Sequence, residues 1–168
     1  MEVKESIDNA WKIHAAQADW TGKVDAKASF AFGLESAAIV AVVALSAKGR
    51  LFGDLSDLSA AWFYGIGLSL ILIGALFAVT AVIPRLKSDG VKAKAPDNYI
   101  YFGHAQHWEA TDLEVALKER EILPVISRQI VVMADIAWQK HRWVQLSMFT
   151  GCAGGVSIVI AALILRFG

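Results

Sequence analysis

Between Leu58 and Ile83 the chain runs for 26 residues without an Asp, Glu, Lys, Arg or His. Nothing else in the sequence constrains its fold as much. As an α-helix rising about 1.5 Å per residue, such a run extends about 39 Å, more than the ~30 Å hydrocarbon thickness of a bilayer. Lipid offers no hydrogen bonds, so the segment must satisfy its own backbone, and a helix does so. Pro84 follows as a helix stop, with Arg85 and Lys87 as interfacial anchors. Two more runs share this character: Ala28–Ala47, apolar apart from Glu35 and its small polar residues, and the uncharged Trp143–Leu165 behind His141 and Arg142. Three spans, at 28–47, 58–83 and 143–165, account for a hydrophobic fraction of 56%, above the roughly 45 to 50% of soluble domains. The expected fold class is an all-α membrane protein of one domain, with too little chain outside the spans for a separate catalytic domain. One cysteine excludes an internal disulfide, and 16 acidic against 16 basic residues leave no field for a nucleic acid polymer. A secretory signal peptide fits poorly, because the first apolar run starts near residue 28 and is too long for one.

Thirteen of the sixteen basic residues precede the first span or lie between the second and third; only Lys48, Arg50 and Arg166 remain for the other side. By the positive-inside rule, residues 1–27 and 84–142 are expected in the cytoplasm, with the turn 48–57 and the C-terminus outside. Val3, Ile7, Trp11, His14 and Ala18 recur at helical spacing, so an amphipathic helix is expected from residue 3 into the first span. The long loop is expected to start irregularly through Ser88, Asp89 and Gly90. Thr111 with Glu114 then fits a capping box for a helix to Arg120, and Pro124 fits the first turn of another. Ile126, Ile130, Met133 and Ala137 form one apolar stripe on that last helix, which nothing interrupts before the third span. The two extensions are expected to pack as a helical stalk.

Several residues stand out chemically. Asn98, Tyr99, Tyr101, Phe102, Gly103 and His104 gather rings and hydrogen-bonding groups around a glycine, an arrangement able to stack a nucleobase or to seal the base of the stalk as a short strand or loop. Asp25 falls toward the stalk interior near the membrane surface, where Lys140 or Arg142 lies at matching depth as a partner; ordinary interfacial charge is the alternative. Glu35 is eight residues past Lys27, about 12 Å deeper, where an acid costs roughly 2.5–3.5 kcal/mol. It suits a pore or proton path, or a structural hydrogen bond to Ser36, Ser69 or Thr80. Gly151-x-x-x-Gly155, with Gly154 nearby, and the Gly65–Ser69 and Gly74–Ala78 pairs offer close helix approach. His104, His107 and Glu109 are a weak fragment of a metal or hydrolase motif, and Cys152 sits within a span. No phosphate-binding glycine loop or Ser-His-Asp order is present. Neither catalytic residues, a metal nor a cofactor are expected.

Ala18-Asp19-Trp20 to Val24-Asp25-Ala26-Lys27-Ala28 leading into a span, Asn98-Tyr-Ile-Tyr-Phe-Gly-His104 after a second span, and a helix with Lys140 entering a third together resemble the Pycsar transmembrane effector family, over nearly the whole chain. The matching positions are Asp25, Lys27, Phe102, Gly103 and His104. The resemblance implies a bacterial inner-membrane antiphage effector. A separate cyclase makes a cyclic pyrimidine mononucleotide, cUMP or cCMP, and the effector, as a homo-oligomer, then impairs the membrane. Asn98, Tyr99, Tyr101, Phe102, Gly103, His104, Lys27 and Lys140 are the ligand candidates, with Asp25 and Glu35 as coupling or pore candidates. The alternative function is a constitutive membrane scaffold or small transporter subunit whose cytoplasmic region binds a protein.

Overall fold

The computed structural model describes residues 2–84 and 90–168, which form helices and turns without a strand. Three helices are long and apolar enough to cross a membrane: α1 (Val3–Leu45), α2 (Leu58–Val82) and α6 (Ile122–Phe167). Between α2 and α6 lie α3 (Val91–Lys94), a 3-10 turn (Ala95–Asp97), α4 (Phe102–Ala105) and α5 (Ala110–Glu119). The chain divides into a head unit, residues 1–22 and 84–138, and a span unit, residues 23–83 and 139–168.

In the span unit the inward positions step by threes and fours. They are Val24, Ala28, Ala31, Glu35 and Val42 on α1, Ala60, Gly67, Ile71, Gly74, Ala78 and Ala81 on α2, and Val144, Ser147, Gly154 and Ala161 on α6. A 3.5-residue period keeps one seam of each helix facing its neighbours. Most of these residues are small, because lipid removes the hydrophobic drive between helices and leaves close packing to hold them. The tightest approach joins Gly67 and Gly154: a Cβ on Gly154 would lie 2.7 Å from the Gly67 carbonyl oxygen. Of the expected G-x-x-x-G pair, Gly155 faces open space, as does Gly65 on α2. The working glycine is Gly154, one residue round the helix. Helix directions follow from the contacts. Asp25 and Glu35 meet Lys140 and Ser147 in the same order, so α1 and α6 run parallel, and α2 runs opposite to α6, meeting Ser157 with Phe63 and Gly154 with Gly67. At the far end Ser157 Oγ donates to the Phe63 carbonyl at 2.7 Å, and the Ser46 and Tyr64 hydroxyls bond at 2.9 Å. Asp57 caps α2 by accepting from the Ala60 amide at 2.8 Å and from the Ser59 hydroxyl at 2.5 Å. The Ser59 hydroxyl first, then the amide, hold its carboxyl below the usual carboxylate range.

In the head unit, α1 buries Ala10 and Gln17, with Ile7 and His14 partly covered. Val3, Trp11 and Ala18, expected inside, are exposed. The expected stripe, Val3-Ile7-Trp11-His14-Ala18, advances by more fours than threes and drifts off the 3.5-residue seam. The α6 stripe holds: Ile126 and Ala137 are buried, and Ile130 and Met133 partly so. Pro124 sits in the first turn of α6, where no acceptor awaits its missing N–H. The capping box is not formed. Thr111 lies inside α5, whose cap position is Glu109, and the Glu114 carboxylate reaches forward to Lys118 at 2.5 Å. Gly90, at φ 71°, opens the short helix α3 where irregular chain was expected. Arg85, Lys87, Ser88 and Asp89 lie outside the described residues.

Candidate ligand site and the membrane core

The ring-rich segment of the head unit follows the 3-10 turn as irregular chain from Asn98 to Tyr101 and then forms the one-turn helix α4, a loop and not a strand. Asn98 is a brace: its amide donates to the Lys94 carbonyl at 2.9 Å, and its oxygen accepts from Arg128 Nη1 at 3.2 Å. Tyr99 is only 8% exposed and meets Trp108 edge-to-face at 5.9 Å. Trp108 is itself fixed, its indole N–H donating to the Ala95 carbonyl at 2.8 Å while the Arg120 guanidinium stands 5.6 Å over the ring. Tyr99 therefore has its packing partner within the fold and is unavailable as the outer face of a stack.

Tyr101, at the cap position of α4, turns its ring back over Gly103, so that a Cβ there would enter the ring. This close approach explains the glycine. The Tyr101 ring lies between Phe102, at 4.5 Å, and His104, at 5.4 Å and 75°. Phe102 is 67% exposed and offers a free face. The Tyr99 hydroxyl and His104 Nδ1 are buried without a hydrogen-bond partner. Buried polar atoms are nearly always satisfied. Burial first, then the charges of His107 and Lys94, push the His104 imidazole below its ordinary value. A separate open groove of about 590 Å³ is lined by residues on and beside α3, the 3-10 turn and α5, among them Lys92, Pro96, Trp108, Asp112 and Arg120, and by none of Asn98 to His104. Its volume is within the roughly 300–1,000 Å³ range of small-molecule sites.

The span unit holds the other singled-out residues. Lys140 Nζ bonds both Asp25 oxygens, at 2.6 and 2.8 Å. With Lys140 13% exposed and Asp25 36%, the pair ties α1 to α6 where it meets water. Lys140, expected at the ligand, has its ammonium committed to Asp25, whereas Lys27 is exposed. Glu35 is 6% exposed. Its partner is none of those expected: Ser147 Oγ donates to Oε1 at 3.0 Å, while Ser69 and Thr80 bond their own helix at the Gly65 and Leu76 carbonyls. Among the described residues no three His, Cys, Asp or Glu side chains are grouped to hold a metal.

A family model described as "Pycsar effector protein domain" matches residues 9–167. The chain belongs to the Pycsar effector protein family. It is 25% identical over 175 residues to the Pycsar effector protein PtPycTM of Propioniciclava tarda, covering 97% of this chain and 82% of that one. No solved structure matches. As a Pycsar effector it is an antiphage membrane effector, in keeping with three helices able to cross a membrane, and the family is not known for catalysis. The matched region of this Pycsar effector includes every ligand, coupling and pore candidate named above. Trp108 and Gly67 escaped the sequence reasoning, as did the pairing of Ser147 with Glu35. Extending the α6 stripe from Ala137 by alternating steps of three and four reaches Lys140, Val144, Ser147, Gly151 and Gly154, a signal already present. Trp108 had no comparable signal, being one aromatic in a polar stretch.

Proposed function

We propose that this protein is a bacterial inner-membrane effector, with the head unit cytoplasmic, that binds a cyclic pyrimidine mononucleotide from a separate cyclase and, as a homo-oligomer, breaches the membrane. The family match, which spans both units, carries the proposal. The orphaned Tyr99 hydroxyl and His104 Nδ1 support a ligand in the head unit, since a bound nucleotide gives each a partner. Exposed Phe102 beside Tyr101 supplies a stacking face, worth about 1–3 kcal/mol per base. Lys92 and Arg120 in the Trp108 groove supply cations for a cyclic phosphate. The ligand opens the membrane only by as much as it prefers the open state; moving a 1:99 balance to 99:1 needs about 5.5 kcal/mol of preference.

Titration calorimetry of the detergent-solubilised protein with cUMP, cCMP and, as a control, cAMP tests this, alongside dye release from vesicles. Binding and release with a cyclic pyrimidine, lost in Phe102→Ala and His104→Ala variants that still insert, is the expected result. Neither binding nor release with either pyrimidine would sink the proposal, and full binding by both variants would move the ligand away from α4.

A further inference from the structure

Glu35 is the one charged residue type within the described stretch from Ala28 to Leu45, and three helices converge on it. A Cβ on Gly74 of α2 would lie 2.5 Å from Oε1, and one on Gly151 of α6 would lie 2.6 Å from it. The carboxyl thus occupies a notch that exists because both residues lack side chains. Its two oxygens are treated differently. Oε1 accepts from Ser147, a residue with no exposed surface, whereas Oε2 is buried with no partner. The Thr150 hydroxyl, which also borders Gly74, bonds the Leu146 carbonyl of its own helix. The packing therefore gives one carboxyl oxygen a partner and buries the other without one.

We propose that Glu35 is a hydration trigger. The Gly74–Gly151 notch and the Ser147 hydroxyl keep its carboxyl dry, and once it leaves that seat it draws water between the spans and holds them apart. The group is poised because the two oxygens oppose each other. Losing the Ser147 bond removes the restraint, while the unpartnered oxygen gains in any arrangement that admits water. A purely apolar side chain of similar volume has no such gain and leaves the bundle shut. The proposal rests on the effector reading only in taking the resting spans as tight.

The test is dye release from vesicles carrying equal amounts of inserted protein, with no nucleotide in any arm. Ser147→Ala and Gly151→Ala should each leak at least ten-fold faster than the parent. Gly155→Ala, a turn further along α6 where a Cβ meets nothing, should not. The deciding variants are Glu35→Met/Ser147→Ala and Glu35→Met/Gly151→Ala, which should return to the parent's rate because the leak acts through the carboxyl. The clash at Gly151 is with the end of a flexible side chain, so the fold can yield there. Should Gly151→Ala nonetheless fail to insert, Ser147→Ala and its Glu35→Met double variant carry the comparison unaided. Double variants that leak as fast as the single ones, or single variants as tight as Gly155→Ala, overturn the trigger. A parent that ignores every cyclic nucleotide would overturn the activation reading instead, and leaves this ranking intact.

Discussion

Replacing Gly154 by Ala adds one methyl at the closest crossing in the span unit. Built on the backbone, that methyl lies 2.7 Å from the Gly67 oxygen and 2.8 Å from the Ile71 nitrogen, against 3.4–4 Å for ordinary contact, a shortfall of about 0.7 Å. The obstacle is backbone, so no side-chain rotation relieves it and α2 and α6 must part. Overpacking of this kind costs about 1–3 kcal/mol. Gly155→Ala supplies the reference. It gains the same helix propensity, about 1 kcal/mol in soluble hosts, while its Cβ meets nothing within 4 Å. The difference between the two variants then isolates the crossing, and about 1–3 kcal/mol corresponds to roughly 5- to 150-fold in the folding equilibrium. Reversible unfolding in mixed micelles, followed by energy transfer between labels on α2 and α6, measures it. Gly67→Ala should behave similarly, since its Cβ would lie 2.9 Å from the Gly154 oxygen. The double variant should cost less than the sum, because helices parted for one methyl have room for the second. Equal stability of Gly154→Ala and Gly155→Ala would refute the crossing as a source of stability, and strict additivity would refute its being shared.

Three further outcomes are expected. A reporter fused after Gly168 should be exported and one inserted near Lys92 should remain cytoplasmic; both on one side would contradict three spans. Asp25→Lys and Lys140→Asp should each weaken the span unit, and the swapped double variant should recover about 0.2–1 kcal/mol of coupling, the range for pairs that touch solvent, measured by a double-mutant cycle. With burial pushing the His104 imidazole below its ordinary value, the unfolded chain binds the proton more readily, so the group's contribution to head-unit stability is complete above the unfolded value of about 6.5 and is lost as pH falls through the lower folded value. His104→Gln should remove that part of the acid sensitivity in a melting series between pH 7.5 and 5, and an unchanged slope would assign it elsewhere.

What could be read in advance depended on whether one helix or several decided the matter. The three spans follow from length and charge within each segment, and the α6 stripe from spacing along one helix. The Asp25–Lys140 pair was also legible, since the membrane surface sets a common depth for residues just outside two spans. Glu35 had no such ruler. Its neighbours depend on which faces of α2 and α6 turn inward, and Ser69 and Thr80, plausible by depth, point their hydroxyls at their own helices. The α1 stripe failed for a smaller reason: a mis-stepped residue per turn moves an apparent face away from the seam. In the head unit, Thr111 looked like a cap by pattern, yet α5 already includes it. Trp108, which organises Tyr99, Ala95 and Arg120 through contacts spanning 9 to 13 residues, left no periodic trace at all.

The seat of Glu35 is assembled from parts made at different times. When α1 emerges from the ribosome, neither Gly74 nor Gly151 exists, and Ser147 lies 112 residues further along. At roughly 5–20 residues per second, that is a wait of about 6 to 20 s. During it, α1 carries an acid that costs roughly 2.5–3.5 kcal/mol at the centre of a lone helix. The first span thus has to linger at the insertion machinery, or sit shallowly, until the last one arrives to shelter it. A chain truncated before α6 lacks Ser147 and Gly151, and its Glu35 has neither the hydroxyl nor the full notch that seat it in the finished protein.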